Sequence, residues 1–131
     1  MDLLEKYIQE LSEELKIDEM NISEVQRRLP ARRHFWIARL INHKRDLNSL
    51  QRKRRKRGVE IAEGVRKGSA VRVTIPESIK IANQSEEIKD IDDEIREIEL
   101  IIEFLEKTEK NLDKVSWDIG NIVKLMQMEM M

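Results

Sequence analysis

The sequence predicts an all-α protein, with a kinked basic helix, an irregular middle loop containing a short extended segment, and a long C-terminal heptad helix that oligomerises. Apolar residues recur at helical spacing over most of the chain. Charged residues make up 39% and aromatic residues only 4%, as in long helices with large exposed faces. A length of 131 residues predicts a single domain, with a helical part over 1–57, a linker over 58–77 and oligomerisation helices over 78–131.

The first helix is predicted over residues 3–16, where Leu3, Leu4, Tyr7, Ile8 and Leu11 fall on one face. A second helix should follow, because Asn21 and Glu24 have the spacing of a capping pair. That spacing predicts a short connection between two helices.

The second helix carries the basic residues and is expected to be kinked at Pro30, which removes a backbone donor. Its apolar face continues to about Arg57, and Gly58 is a plausible end. Val71, Val73 and Ile75 then alternate with polar residues, which favours an extended segment. Pro76 suits the first turn of a further helix.

The C-terminal helix has apolar residues that alternate at spacings of three and four, the seam of a heptad repeat. Isoleucine at both seam positions favours assemblies larger than dimers. Packing within a single chain remains the alternative. The predicted oligomerisation residues are Ile88, Ile91, Ile95, Ile98, Ile102, Leu105, Leu112, Ile119 and Ile122.

Charge is distributed in blocks. Residues 27–80 hold seventeen Lys or Arg and four acids, a net charge of +13, whereas residues 1–26 carry −6 and residues 81–131 carry −8. The six consecutive basic residues 52–57 advance about 600° around a helix, so they form a collar. Pairing with the acidic C-terminal helix is one reading, and binding to a nucleic acid is the favoured one. The predicted nucleic-acid-binding residues are Lys44, Arg45, Arg52, Lys53, Arg54, Arg55, Lys56 and Arg57.

Binding should depend on phosphate contacts, be nearly indifferent to sequence and weaken with salt. Of the five aromatic residues, only Phe35 and Trp36 lie near the basic region, and both also fit the apolar face of their helix. Base stacking by these two side chains is therefore the less favoured role.

No group of residues predicts catalysis, a cofactor or a metal site. His34 and His43 lack the spacing of helical metal ligands, no phosphate-binding loop of the ATPase type occurs, and there are no cysteines. No apolar run reaches membrane-spanning length. We therefore expect a soluble cytoplasmic protein that is not an enzyme and makes no membrane contact.

The order of these features resembles the UvsY-type recombination mediators of T-even-like phages. The resemblance includes the acidic opening helix, the helix from Trp36 through Lys44 and Arg45 into the basic cluster, and the closing helix over 86–107. It is closest at Ile101-Ile102-Glu103-Phe104-Leu105-Glu106-Lys107 and at the following stretch, Ser116 to Ile122. The chain departs from the family in having Val59-Glu60-Ile61-Ala62 where the family has an aromatic pair.

The resemblance implies a non-enzymatic accessory protein that forms a ring of six or seven subunits and binds single-stranded DNA. It also implies partnership with a RecA-like recombinase and with single-strand-binding protein, which the recombinase replaces, inside a phage-infected bacterial cell. Two other classes fit the helix pattern. They are a prefoldin-like holdase and a structural coiled-coil or phage assembly protein.

Overall fold

The computed structural model describes residues 2–130, which contain four α-helices and no strand. The helices are α1 (Leu3–Glu14), α2 (Ile22–Gly68), α3 (Ile75–Asn83) and α4 (Glu86–Met130). The predicted all-α class is confirmed. The chain divides into two compact units, one running to Asn42 and resuming at Leu100, and the other spanning His43–Glu99.

In the first unit, α1 packs against the first part of α2. The Asp2 side chain caps α1 by accepting a hydrogen bond from the Glu5 backbone N–H at 2.8 Å. Asp18 and Asn21 exchange hydrogen bonds of 2.9 and 2.8 Å between side chain and backbone, the geometry of a capping box. The reciprocal pair before α2 therefore lies one turn earlier than the predicted pair at Asn21 and Glu24.

The core of the first unit contains apolar side chains from three helices. Tyr7 of α1 meets Trp36 of α2 edge to face, with ring centroids 5.7 Å apart. Trp36 is only 2% exposed, as expected for a core residue. The other buried apolar residues of this unit are Leu11, Ile22, Val25, Leu29, Leu40, Ile101, Ile102, Leu105, Leu112 and Ile119.

The second unit contains the remainder of α2, all of α3 and the first part of α4. Its core is formed by Ile88, Ile91 and Ile95, against which the partly buried Leu47, Leu50 and Ile61 pack. Two ion pairs join α2 to α4 in this unit, Arg54 with Asp92 and Arg57 with Glu87. The residue number on α4 falls as the residue number on α2 rises. The two helices are therefore antiparallel here.

The predicted end of α2 at Gly58 is wrong, and the helix continues to Gly68. A helical glycine costs about 1 kcal/mol relative to alanine. Continuing the helix brings Ile61 into the core and leaves Ala62 only 6% exposed, so packing offsets that cost. The linker predicted over 58–77 is consequently confined to residues 69–74.

The expected extended segment does not form a strand. Val71 is 75% exposed, and Thr74 already caps α3 by accepting a hydrogen bond from the Glu77 N–H at 3.3 Å. Pro76 lies in the first turn of α3, as predicted. Pro30 lies inside α2, and the kink expected there remains a prediction.

The seam of α4 is buried within the chain itself. Ile98 is half-buried and Ile122 is 47% exposed. The seam residues that the fold buries are Ile88, Ile91, Ile95, Ile102, Leu105, Leu112 and Ile119. Intrachain packing therefore accounts for most of the periodicity, and self-association through this helix remains a prediction. Over the described residues, no helix has the length and hydropathy needed to cross a membrane.

Candidate nucleic-acid interface

The six-residue basic run on α2 is divided by the direction in which each side chain points. Leu47, Leu50 and Ile61 mark the side of α2 that packs on the isoleucine core. At about 100° per residue, Arg54 and Arg57 fall on that same side. The predicted collar therefore consists of an inner part that meets α4 and an outer part that faces solvent.

Arg54 belongs to the inner part and forms a two-point contact with Asp92 of α4. Its Nε donates to Asp92 Oδ1 at 2.5 Å and its Nη2 donates to Asp92 Oδ2 at 3.3 Å. Nη2 also donates to Asn83 Oδ1 at 3.4 Å. The hydrogen bond to Asp92 raises the pKa of Arg54, so the guanidinium remains charged and held in place.

Arg57 makes the second two-point contact, with Glu87 of α4. Its Nε and Nη2 donate to the two carboxylate oxygens of Glu87 at 2.6 and 2.7 Å, and its Nη1 donates to Glu60 at 2.5 Å. These bonds raise the pKa of Arg57 and lower the pKa of Glu87, to which the nearby charge of Lys53 also contributes. Both inner arginines are thus engaged in holding α2 against α4.

The outer part consists of side chains that point away from α4. Arg45, Arg52 and Lys56 lie within about 40° of one another around the helix axis, on the side opposite Leu50 and Ile61. Arg55 lies beside them. All four are exposed, and none forms an ion pair with another residue of the described chain. We call Arg45, Arg52, Arg55 and Lys56 the outer basic face.

The structure therefore separates the eight predicted DNA-binding residues into groups. Four form the outer basic face, and Arg54 and Arg57 are paired with carboxylates. Lys53 is exposed and lies close enough to Glu87 to lower its pKa. Lys44 is exposed but has a partner within the chain.

Three arginines of the first unit pair with carboxylates of other helices. Arg32 pairs with Glu10 and Glu14 of α1, and Arg39 donates to Glu10 at 2.7 Å. The Arg39 guanidinium also stacks on three aromatic rings, with distances of 4.1 to 4.8 Å to their centroids. Arg33 pairs with Asp113 of α4 at 3.3 Å. These cations bind the helices of their own unit.

The aromatic side chains near the basic residues are not stacking platforms. The Trp36 Nε1 donates to Glu14 at 2.9 Å inside the core. Phe35 is 36% exposed, but the guanidinium groups of Arg32 and Arg39 each lie over its ring, 4.1 Å from the centroid. The core role favoured from the sequence is confirmed for Trp36, whereas Phe35 lies at the surface beneath the two guanidinium groups.

One exposed aromatic residue was missed from the sequence. Trp117 on α4 is 71% exposed and lies in the first unit. Trp117 lies far along the chain from the basic run at 52–57, so proximity in the sequence does not connect the two. A signal was available, because Lys110, Lys114 and Lys124 recur at helical spacing on the same side as Trp117.

The described residues contain no group of three or more potential metal-binding side chains. His34 is exposed, and His43 lies 4.0 Å from Asp46 on its own helix. These positions give neither histidine a ligand set. The chemistry that the surface offers is the binding of anions by guanidinium and ammonium groups.

The fold and the outer basic face together define a helical protein with a cationic surface. Comparisons with protein-family models, with curated proteins and with solved structures return no match.

Proposed function

We propose that this protein is a non-enzymatic recombination mediator that binds single-stranded DNA through the outer basic face. It would act as a homo-oligomer and help a RecA-like recombinase replace single-strand-binding protein. The observation that carries the binding step is the outer basic face itself, four exposed cations without a carboxylate partner in the described chain. The resemblance of the sequence to UvsY-type mediators supports the remaining steps.

The separation of roles along α2 supports a binding function. Exposed ion pairs contribute about 0 to 1 kcal/mol each, so stability alone gives little reason to concentrate cations on one helix. Arg54 and Arg57 already supply the contacts to α4. The outer residues place positive charge on the solvent side of α2. Contact between these side chains and a polyphosphate backbone would release the counterions condensed on that backbone.

The geometry favours phosphate contacts over base reading. The outer basic face follows one side of a helix, and its neighbours Asn48 and Ser49 are exposed polar residues. No exposed aromatic residue lies on α2 between residues 45 and 56. Binding through this surface should therefore depend on salt and be nearly independent of base sequence.

A homo-oligomer would present several copies of the outer basic face to one strand. Repeating a weak site along one strand raises the overall affinity without any new contact. Most seam residues of α4 are already buried within the chain, so contact between copies would use other surfaces of the helices.

The direct test neutralises three of the four residues of the outer basic face, with Arg52→Gln, Arg55→Gln and Lys56→Gln together. We expect affinity for an oligodeoxythymidylate to fall about 100-fold at about 0.1 M salt. The slope of log K against log salt should become shallower by about 2, because each single-strand phosphate contact contributes about 0.7. Fluorescence anisotropy across a salt series measures both values.

The matched control carries Arg27→Gln, which removes an exposed cation of the first unit that has no carboxylate partner among residues 2–130. It should leave both the affinity and the salt slope unchanged, because no phosphate contact is lost. If the triple variant binds as tightly as the unchanged protein while remaining folded, the proposal is wrong. Preferential binding to unfolded protein would favour a holdase instead.

A further inference from the structure

The C-terminal part of α4 presents an exposed tryptophan on the side opposite its buried face. Leu112 and Ile119 are 1% and 2% exposed, whereas Trp117 between them is 71% exposed. Its role differs from that of Trp36, which is buried and hydrogen-bonded to Glu14. A large aromatic side chain so exposed contributes little to the packing of its own unit.

On the side of α4 that carries Trp117, the charged residues between 110 and 124 are three lysines and Asp113, whose carboxylate pairs with Arg33 at 3.3 Å. Lys110, Lys114 and Lys124 lie at spacings of −7, −3 and +7 from it, which places them on the same side of the helix. All three are exposed, and none pairs with a carboxylate in the described chain. Lys110 and Lys124 each lie about 10 Å along the helix axis from Trp117. Asn121 is exposed on the same stripe, at a spacing of +4.

From this stripe we propose that Trp117 stacks on an unpaired base of a single-stranded nucleic acid while Lys110, Lys114 and Lys124 contact its phosphates. The inference rests on the proposed function and adds a base-contacting surface to it. Flat apolar rings and regularly spaced negative charges occur together in a single strand. Stacking on an aromatic side chain is tolerant of sequence, since every base has a π face.

The composition of the stripe favours this ligand over a second copy of the chain or a lipid surface. A helix that packs on another helix, or enters a membrane interface, needs a continuous apolar stripe. Here Lys114 and Asn121 interrupt it on the two sides of Trp117. Leu125 and Met128 are exposed only beyond that interruption.

The test compares an oligodeoxythymidylate with an abasic oligonucleotide of the same length. Trp117→Ala should weaken binding of the thymidylate by about five- to 100-fold at constant salt and leave binding of the abasic strand unchanged. The salt slope should stay the same, because no phosphate contact is lost. Trp117→Phe should retain part of the affinity.

Fluorescence provides a second readout. The thymidylate should quench the emission that disappears in Trp117→Phe, while the buried Trp36 serves as an internal reference. The double variant Lys110→Gln and Lys114→Gln should make the salt slope shallower by about 0.7 per lysine on both strands. Circular dichroism should show the same helix content in every variant, since all these side chains are exposed.

Equal losses on the two strands, or no loss on either, would overturn the stacking role of Trp117. Quenching by anionic lipid vesicles but not by the thymidylate would assign the stripe to a membrane surface. A changed sedimentation coefficient of the free Trp117→Ala protein would assign it to contact between copies. If neutralising Arg52, Arg55 and Lys56 weakens binding while Trp117→Ala does not, only this inference fails; the reverse pattern rejects the outer basic face.

Discussion

Two basic segments of the same helix, α2, are used in different ways. In the first unit, Arg32, Arg33 and Arg39 each pair with a carboxylate of α1 or α4. In the second unit, Arg54 and Arg57 are paired, but the outer basic face has no such partner among the described residues. The density of arginine is similar in both segments. The direction of each side chain relative to the packed face decides whether it stabilises the fold or remains available to a ligand.

The largest expected effect is a loss of stability in the first unit, where the basic residues hold helices together. Arg39→Ala removes a charged hydrogen bond to Glu10 and the stacking on Tyr7, Phe35 and Trp36. We expect the free energy of unfolding to fall by about 2 kcal/mol, with unchanged affinity for single strands. Urea unfolding and anisotropy titration measure the two quantities. The exposed Arg27 provides the control, since Arg27→Ala should leave stability within about 0.5 kcal/mol. A weaker oligonucleotide complex in Arg39→Ala would place this residue in the binding surface instead.

The neighbouring residues Arg54 and Arg55 allow a sharper comparison within one turn of α2. Arg54→Gln removes the two-point contact with Asp92 and should lower the free energy of unfolding by about 1 kcal/mol while leaving the salt slope of binding unchanged. Arg55→Gln should do the opposite, with an intact unfolding midpoint and a slope shallower by about 0.7. Identical behaviour of the two variants would show that the division into inner and outer residues has no functional meaning.

The all-α class, α1, the first turn of α3 and the seam of α4 could be predicted, because residue spacing and the position of Pro76 are local signals in the sequence. The end of α2 could not be predicted from Gly58, since the packing of Ile61 on the isoleucine core decides where the helix stops. The sequence identified the candidate site as one set of eight residues but did not separate the inner arginines from the outer basic face. Dividing it requires knowing that α4 covers the side of α2 marked by Leu47 and Leu50.

A smaller gain in stability is expected at Gly64, an exposed glycine within α2. An added Cβ there would meet no atom within 4 Å. Gly64→Ala should therefore raise the free energy of unfolding by about 0.5 to 1 kcal/mol and leave the outer basic face unchanged. Thermal unfolding and the oligonucleotide titration provide the check. Destabilisation by this change would mean that the last part of α2 needs the freedom of glycine.

The smallest effect concerns pH and the inner contact of the second unit. Arg57 lowers the pKa of Glu87 below its ordinary value of 4.5 in the folded chain. A lowered folded pKa gives stability that is present above the unfolded value and lost as pH falls through the folded value. Glu87→Gln should therefore flatten the dependence of the urea midpoint on pH below about 4.5. An equally steep dependence in the variant would exclude Glu87 as a source of the acid sensitivity. Glu86→Gln, at an exposed neighbour, is the matched control.

The burial of the α4 seam has a consequence for how copies of the chain would assemble. Each polypeptide buries most of its own seam residues, so a subunit can be fully folded before it meets another. An assembly made from such subunits can dissociate and re-form without any subunit having to refold. Exchange of labelled subunits between assemblies should then be much faster than global unfolding.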